Sequence, residues 1–151
     1  MTTIYILLGL SVITTGLFTG LLVAVVALLQ QTLKPLSASE FTLVMRHFLP
    51  IARKAAVNYV LVLTPMVVPP IILGLIWGQP ATLLFSLTLA GWLAFIIGPF
   101  LFSRFAAEPL YDVILNWPVQ SPPAEWRLTR VRYFRLNLVR LRGGPTTGGL
   151  E

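Results

Sequence analysis

Planar polar and aromatic side chains recur at helical spacing near the C-terminus. Residues 116–144 read NWPVQSPPAEWRLTRVRYFRLNLVRLRGG and contain six of the eleven basic residues, all of them arginines. Five side chains, which we call the polar stripe, follow one another every three or four residues: Trp126, Arg130, Tyr133, Asn137 and Arg140. Since such residues share one face of a helix, they are predicted to point in one direction. The stripe suits a bound ligand or a polar lock against other helices, and the lock is the favoured interpretation.

Strong metal ligands are scarce, because the sequence has one histidine, His47, and no cysteine. A zinc or haem site usually requires two or more nitrogen or sulfur donors. We therefore predict no metal site and no bound cofactor.

The composition is typical of a membrane protein. Of 151 residues, 56% are hydrophobic and 11% charged, and the mean hydropathy is +0.84; a soluble domain carries about 25% charged residues. Residues 1–33 and 55–103 contain no Asp, Glu, Lys, Arg or His, and each run exceeds the length of about 18 residues that indicates a span. The net charge is +6, and the basic residues lie beside these apolar runs. Basic residues in such positions favour membrane lipid as a partner and not nucleic acid.

The predicted fold is an all-α membrane protein with one domain, residues 1–151. Three transmembrane helices are expected at about residues 4–30, 55–77 and 81–103, with amphipathic surface helices on the cytoplasmic side at about 38–50 and 122–142. The first loop and the tail hold all the basic residues. The positive-inside rule therefore predicts that the N-terminus lies outside and the C-terminus in the cytoplasm. The expected location is the bacterial inner membrane.

The first surface helix has a clear start signal. Ser37 and Glu40 have the spacing of a capping box, and one face carries most of the apolar side chains: Phe41, Val44, Met45, Phe48, and Ile51 or Ala52. This pattern predicts a helix lying on the membrane and bent at Pro50 into the second span.

The tail helix is predicted to begin at Ser121-Pro122-Pro123, where serine caps and proline occupies the first turn. Gly143-Gly144 is predicted to end it. A second, apolar stripe runs beside the polar stripe: Val131, Phe134, Leu138 and Leu141. Because arginines cross a bilayer at high cost, we expect this helix to lie along the cytoplasmic surface with its apolar stripe toward lipid.

Small residues and prolines mark two of the spans. Gly16 and Gly20 form a GxxxG pattern that favours close helix packing, within the chain or in a homo-oligomer. The second span contains Asn58 and three prolines, Pro65, Pro69 and Pro70. They predict a kinked helix. They form either a cavity wall or a plain packing kink.

Arg104, Glu108 and Asp112 follow the third span at intervals of four residues. They are predicted to share one helical face. A salt-bridged helix end is favoured over a functional acid pair.

The segment LNWPVQSPPAEWRLTRVRYFRLNLVR resembles the C-terminal motif of a family of small integral-membrane proteins, mostly of unknown function, whose best-known members are anthrone oxygenases. The residues that match its pattern are Trp117, Pro122, Pro123, Glu125, Trp126, Arg132, Tyr133, Asn137 and Arg140. The stretches GLFTG and KPLSASEFTLVMRHFLP are similar to its N-terminal half. Two departures stand out: Tyr133 replaces the family's usual tryptophan, and no fourth span follows Arg140.

The resemblance implies a cofactor-free oxygenase in which a flat aromatic anthrone is deprotonated and its anion reacts with dioxygen. In that role His47 is the candidate base and Trp126 and Tyr133 stack on the substrate. The enolate donors would come from one set: Arg130, Asn137 or Arg140. The alternative for His47 is an ordinary surface residue.

The favoured function is a structural or accessory subunit of a membrane complex, partnered by other membrane subunits or by a second copy. The spans carry no charged residue, which argues against an ion pump. If the protein is an enzyme, we expect an enclosed pocket that reaches from Pro65–Pro70 to the polar stripe. A subunit predicts that the stripe is buried against this chain's own helices or another polypeptide.

Overall fold

A computed structural model describes residues 2–142, which are mostly helical and contain no β-strand. The main helices are α1 (Thr2–Leu33), α2 (Ala38–Lys54), α3 (Ala56–Leu75), α4 (Leu83–Leu115) and α5 (Trp126–Arg142). Helices α1, α3 and α4 are long and apolar enough to cross a membrane, and an 18-residue stretch of each has a mean hydropathy of 2.4, 1.9 and 2.0, respectively. The predicted all-α fold with three such helices is confirmed.

The first apolar core runs along α3, which packs against both α1 and α4. The C-terminal end of α3 and the residue after it bury Val68, Ile72 and Ile76. Around this row pack Ile4, Leu7 and Leu8 of α1 and Phe85 of α4. Farther along, Phe18 of α1 meets Phe95 of α4 edge-on, with ring centroids 5.7 Å apart. Trp92 Nε1 also donates to the carbonyl of Met66 at 3.0 Å. These contacts hold the three long helices side by side.

Helices α1 and α4 extend well beyond α3. At about 1.5 Å per residue, the 32 residues of α1 and the 33 of α4 are about 18 Å longer than the 20 residues of α3. The boundaries therefore differ from the predicted spans 4–30 and 81–103. The helix does not break at Gly98-Pro99, because it widens into π-helical turns at Ile96–Leu101 and Ser103–Ala107. These wider turns carry the chain past Pro99, which lacks a backbone donor.

A second apolar core lies at the extended ends of α1 and α4. There α2 and α5 join them around one set of buried residues: Leu33, Phe41, Met45, Leu49, Leu110, Ile114, Trp117 and Tyr133. Both amphipathic helices thus bury apolar side chains within the protein. The expectation that α2 lies on lipid with Phe41 and Met45 down is wrong, because α1 and α4 supply the apolar partner surface. None of the apolar stripe of α5 belongs to this buried set.

Helix α2 begins with the predicted capping box. The backbone N–H of Ser37 donates to Glu40 Oε2 at 2.8 Å, and the N–H of Glu40 donates to Ser37 Oγ at 3.4 Å. The helix continues through Pro50 to Lys54, and the chain leaves helical geometry at Ala55, which is extended. The turn into α3 therefore lies five residues later than predicted. The buried row is Phe41, Met45 and Leu49, whereas Val44 and Ile51 of the predicted face are exposed.

Helix α5 begins at Trp126 and not at Pro122. A residue that precedes proline is disfavoured in α-helical geometry, so Pro122 before Pro123 keeps this stretch non-helical. The N–H of Trp126 donates to the carbonyl of Pro123 at 3.0 Å, which forms the turn that leads into the helix. The predicted stop at Gly143-Gly144 lies outside the described residues.

Candidate functional site

The polar stripe faces the interior of the protein. Tyr133 and Asn137 are 2% and 1% exposed, and Trp126, Arg130 and Arg140 are partly buried. The neighbouring apolar stripe is less buried: Val131 is exposed, while Phe134, Leu138 and Leu141 are intermediate. Planar hydrogen-bonding side chains therefore close the interior of the protein at the extended ends of α1 and α4.

Arg130 binds the end of α1. Its Nη1 lies 3.4, 3.0 and 3.0 Å from three backbone carbonyls, those of Leu33, Lys34 and Leu36. Its guanidinium carbon lies 4.5 Å from the centre of the Trp126 ring. The last carbonyls of a helix lack partners within the helix and carry partial negative charge. Arg130 therefore acts as a C-terminal cap of α1, supplied from α5.

The middle of the stripe meets α1 and α4. The Tyr133 ring packs against Tyr111 of α4 at 5.9 Å between centroids, and burial raises the pKa of the Tyr133 phenol well above its ordinary value. From α1, buried Gln30 donates through Nε2 to the carbonyl of Phe134 at 3.0 Å. Tyr133 therefore stays protonated at neutral pH and serves as a packing group.

Arg140 completes the stripe. Its Nη1 donates to the hydroxyl of Tyr111 at 3.1 Å and to Asn137 Oδ1 at 3.4 Å. Arg140 Nε and Asn137 Nδ2 are buried and have no hydrogen-bond acceptor within residues 2–142. Two unpartnered donors thus lie three residues apart on one helix face.

An ion-pair cluster ties α2 to α4. Arg53 Nη2 lies 2.7 Å from Glu108 Oε2 and 2.8 Å from Asp112 Oδ1. Burial alone would lower the pKa of Arg53, but the hydrogen bond that Arg53 donates to Asp112 and the charges of both acids outweigh it and raise that pKa. Within the described part of the chain, Arg104 forms no ion pair with Glu108 or Asp112. The acids are paired as expected, but with a residue of another helix.

His47 lies apart from the polar stripe. Its side chain is exposed on α2, and Nδ1 lies 2.9 Å from the carbonyl of Leu43 one turn earlier in the same helix. The structure thus does not bring the candidate base together with Trp126, Arg130 or Asn137.

Asn58 and the prolines of α3 have structural contacts. Asn58 Nδ2 donates to the carbonyl of Ala52 and so bridges the junction of α2 and α3. Pro65 and Pro69 are buried and Pro70 is partly buried, all within a continuous α3.

Gly16 and Gly20 lie on an exposed face of α1. A Cβ atom built at either position would meet no atom within 4 Å. Helix α1 instead buries the row of Thr14, Phe18 and Leu22. Close packing through the GxxxG pattern therefore does not occur within residues 2–142.

A groove of about 210 Å³ runs between α1 and α4 and ends at α5. Its lining residues are Thr15, Phe18, Thr19, Leu22, Gly91, Ala94, Phe95, Pro99, Arg140 and Leu141. Arg140 is the one charged residue among them, and no proline of α3 contributes. Sequence reasoning missed this groove, because its walls come from three helices that are distant in sequence.

No group of three His, Cys, Asp or Glu side chains suited to a metal ion occurs in the described ranges. Comparison of the chain with protein-family models, with curated proteins and with solved structures found no match.

Proposed function

We propose that this protein is an integral membrane protein that serves as a structural or accessory subunit of a membrane complex. Membrane insertion is supported by the three apolar helices. Orientation is supported by charge: every basic residue lies in 34–54 or 104–142, whereas the turn at Gly78 between α3 and α4 has none. The charged end then faces the cytoplasm of a bacterial cell, with the N-terminus outside.

The accessory role rests on one observation, the use of the polar stripe inside the chain. Arg130 is bonded to carbonyls at the end of α1, Tyr133 is buried against Tyr111, and Arg140 is bonded to Tyr111 and Asn137. A catalytic stripe needs these groups to face a substrate. Their engagement with neighbouring helices favours a lock that stabilises the fold.

The competing hypothesis is the oxygenase that the resemblance implies. A general base must lie within about 3 Å of the proton it removes, directly or through one water. His47 is exposed and contacts the carbonyl of Leu43, on the other side of α2 from buried Phe41 and Met45. This position gives the oxygenase hypothesis no base beside the stripe.

A partner surface is available on α1. Gly16 and Gly20 are exposed and have open space where a side chain would stand, as a second transmembrane helix would require for close approach. The partner would be a span of another subunit or of a second copy.

Native mass spectrometry of the protein, extracted from its own membrane in mild detergent, tests the proposal. We expect a stoichiometric complex with another polypeptide or a second copy, lost in Gly16→Leu and retained in Gly74→Leu, a matched change on the exposed face of α3. A monomer that retains a small aromatic molecule and oxidises anthrones, with activity lost in His47→Ala, would refute it.

Orientation has its own test. Because the chain has no cysteine, Gly78→Cys and Ser121→Cys each carry a single thiol. We expect a membrane-impermeant maleimide to label the first variant in intact cells and the second after lysis. The reverse pattern would overturn the orientation.

A further inference from the structure

The groove between α1 and α4 joins an apolar channel to a cation. Phe18 and Phe95 form its floor, and Leu22, Ala94 and Pro99 add apolar walls. Thr19 donates its hydroxyl to the carbonyl of Thr15 at 2.9 Å, so this hydroxyl needs no partner from a ligand. The walls are therefore suited to a hydrocarbon.

Arg140 stands at the end of the groove formed by α5, with donors to spare. Its Nη1 is used by Tyr111 and Asn137, whereas Nη2 meets no acceptor within residues 2–142. No carboxylate lies within 4 Å of its guanidinium in that range, because the ion pairs found there belong to Arg53. A partly buried guanidinium with unused donors attracts an anion.

The position of Arg140 matches the edge of the apolar region. The next residue, Leu141, packs on the apolar cluster of Phe18, Leu22 and Phe95, whereas Arg140 itself is bonded to Tyr111 in the second core. Arg140 therefore lies where this apolar cluster meets the polar groups of the second core.

We propose that the groove binds one acyl chain of an anionic phospholipid, whose phosphate accepts hydrogen bonds from Arg140. The volume of about 210 Å³ is below the range of about 300–1,000 Å³ usual for enclosed small-molecule sites, which favours part of a chain over a whole polycyclic ligand. The inference rests on the proposed membrane location but not on the accessory role.

Lipid titration by native mass spectrometry tests the headgroup. The full chain, delipidated in detergent, is titrated with dioleoyl phosphatidylglycerol and with dioleoyl phosphatidylcholine. The phosphate of either lipid can accept a charge-assisted hydrogen bond from Arg140, but only phosphatidylglycerol carries a net negative charge. We therefore expect phosphatidylglycerol to bind about tenfold more tightly than phosphatidylcholine. Equal binding of the two lipids would overturn the proposal.

Two pairs of variants locate the site. Gly91→Leu places a side chain in open space on the groove wall and leaves Arg140 unchanged, whereas Gly74→Leu makes the same change away from the groove. We expect the first to abolish the tight binding and the second to preserve it. Arg140→Gln should remove the preference for phosphatidylglycerol, while Arg142→Gln, an equal charge change at an exposed site, should keep it.

Retention of the preference in Gly91→Leu or in Arg140→Gln would contradict the proposal. If Arg140→Gln unfolds, the comparison of Gly91→Leu with Gly74→Leu still tests whether the lipid binds in the groove, because neither variant alters the polar stripe. Extraction by alkaline carbonate, which removes peripheral proteins, tests the membrane location separately. A protein that resists carbonate but shows no lipid preference would refute this inference and leave the proposed function standing.

Discussion

Arg130 joins α5 to the end of α1 through one guanidinium. It stacks on Trp126 within its own helix and bonds to carbonyls at the end of α1. The stripe to which it belongs was readable from the sequence, since side chains at intervals of three and four share a helix face. Its partners were not, because Lys34 and Leu36 lie more than 90 residues away and backbone carbonyls leave no sequence signal.

Replacing Arg130 by lysine is predicted to destabilise the protein by about 2 kcal/mol, because an ammonium lacks the planar fork that reaches several carbonyls and stacks on tryptophan. Denaturant titration in detergent micelles measures the free energy of unfolding. Arg127→Lys is the matched control, since exposed Arg127 contacts Trp126 at 5.7 Å without bonding to α1. Equal losses in the two variants would show that the carbonyl contacts contribute nothing.

The start of α2 is predicted to depend on pH. Hydrogen bonds from the side chain and backbone of Ser37 lower the pKa of Glu40 below its ordinary value. The folded pKa lies below the unfolded one, so this stabilisation is present above the unfolded pKa and is lost as the pH falls through the folded pKa. The protection factors of the amides of Ala38–Glu40, which are the intrinsic exchange rates divided by the observed ones and are followed by NMR in micelles, should therefore fall in acid.

Glu40→Gln supplies the control for this pH effect. Glutamine keeps the capping geometry but does not titrate. The protection factors at the start of α2 should therefore become independent of pH between about 6 and 3, the range in which ordinary carboxyl groups titrate. An unchanged pH profile in Glu40→Gln would assign the effect to another group.

At the scale of elements, the helices were more predictable than their ends. Ser37 and Glu40 marked the start of α2 correctly because a capping box is a local interaction. The start of α5 was misplaced since two successive prolines exclude helix at the first of them. The extension of α4 beyond residue 103 to Leu115 was missed, because π-helical turns that accommodate a proline depend on packing and not on local sequence.

The contact between α2 and α4 is predicted to include a modest ion-pair coupling. Arg53 and Glu108 have side chains 27% and 34% exposed, so solvent screens part of their attraction and we expect a coupling energy of about 0.5–1 kcal/mol. A double-mutant cycle with Arg53→Gln and Glu108→Gln measures it. The same cycle with Arg104→Gln should give no coupling, and a larger value for the Arg104 pair would contradict the assignment.

Residues 2–142 pack around one apolar core along α3 and a second at the extended ends of α1 and α4, and the sequence indicated only the first. Three apolar runs predicted the long helices correctly, since their length and composition are local properties. The second core was read as lipid contact, because an amphipathic helix has the same pattern whether it lies on a bilayer or on protein. What decides between them is the extension of α1 and α4 beyond α3, which supplies Leu33, Leu110 and Ile114 as partners.

The groove, too, is a property of the whole molecule. Its walls combine α1, α4 and the last residues of α5, and Arg140 reaches it only because α5 runs back along α1. This arrangement follows from the bonds that Arg130 and Gln30 form between the two helices. The lock therefore positions the groove as well as closing the second core.

The central claim is that the polar stripe locks this chain's own helices together without a ligand or partner. Hydrogen–deuterium exchange of the purified chain in detergent, with nothing added, tests it most directly. We predict that amides of α5 exchange as slowly as those of α2, and that Arg130→Gln, but not Arg127→Gln, accelerates exchange in both α5 and the turn at Lys34. An α5 that exchanges like an unfolded chain until an aromatic ligand or a second polypeptide is added would contradict the claim.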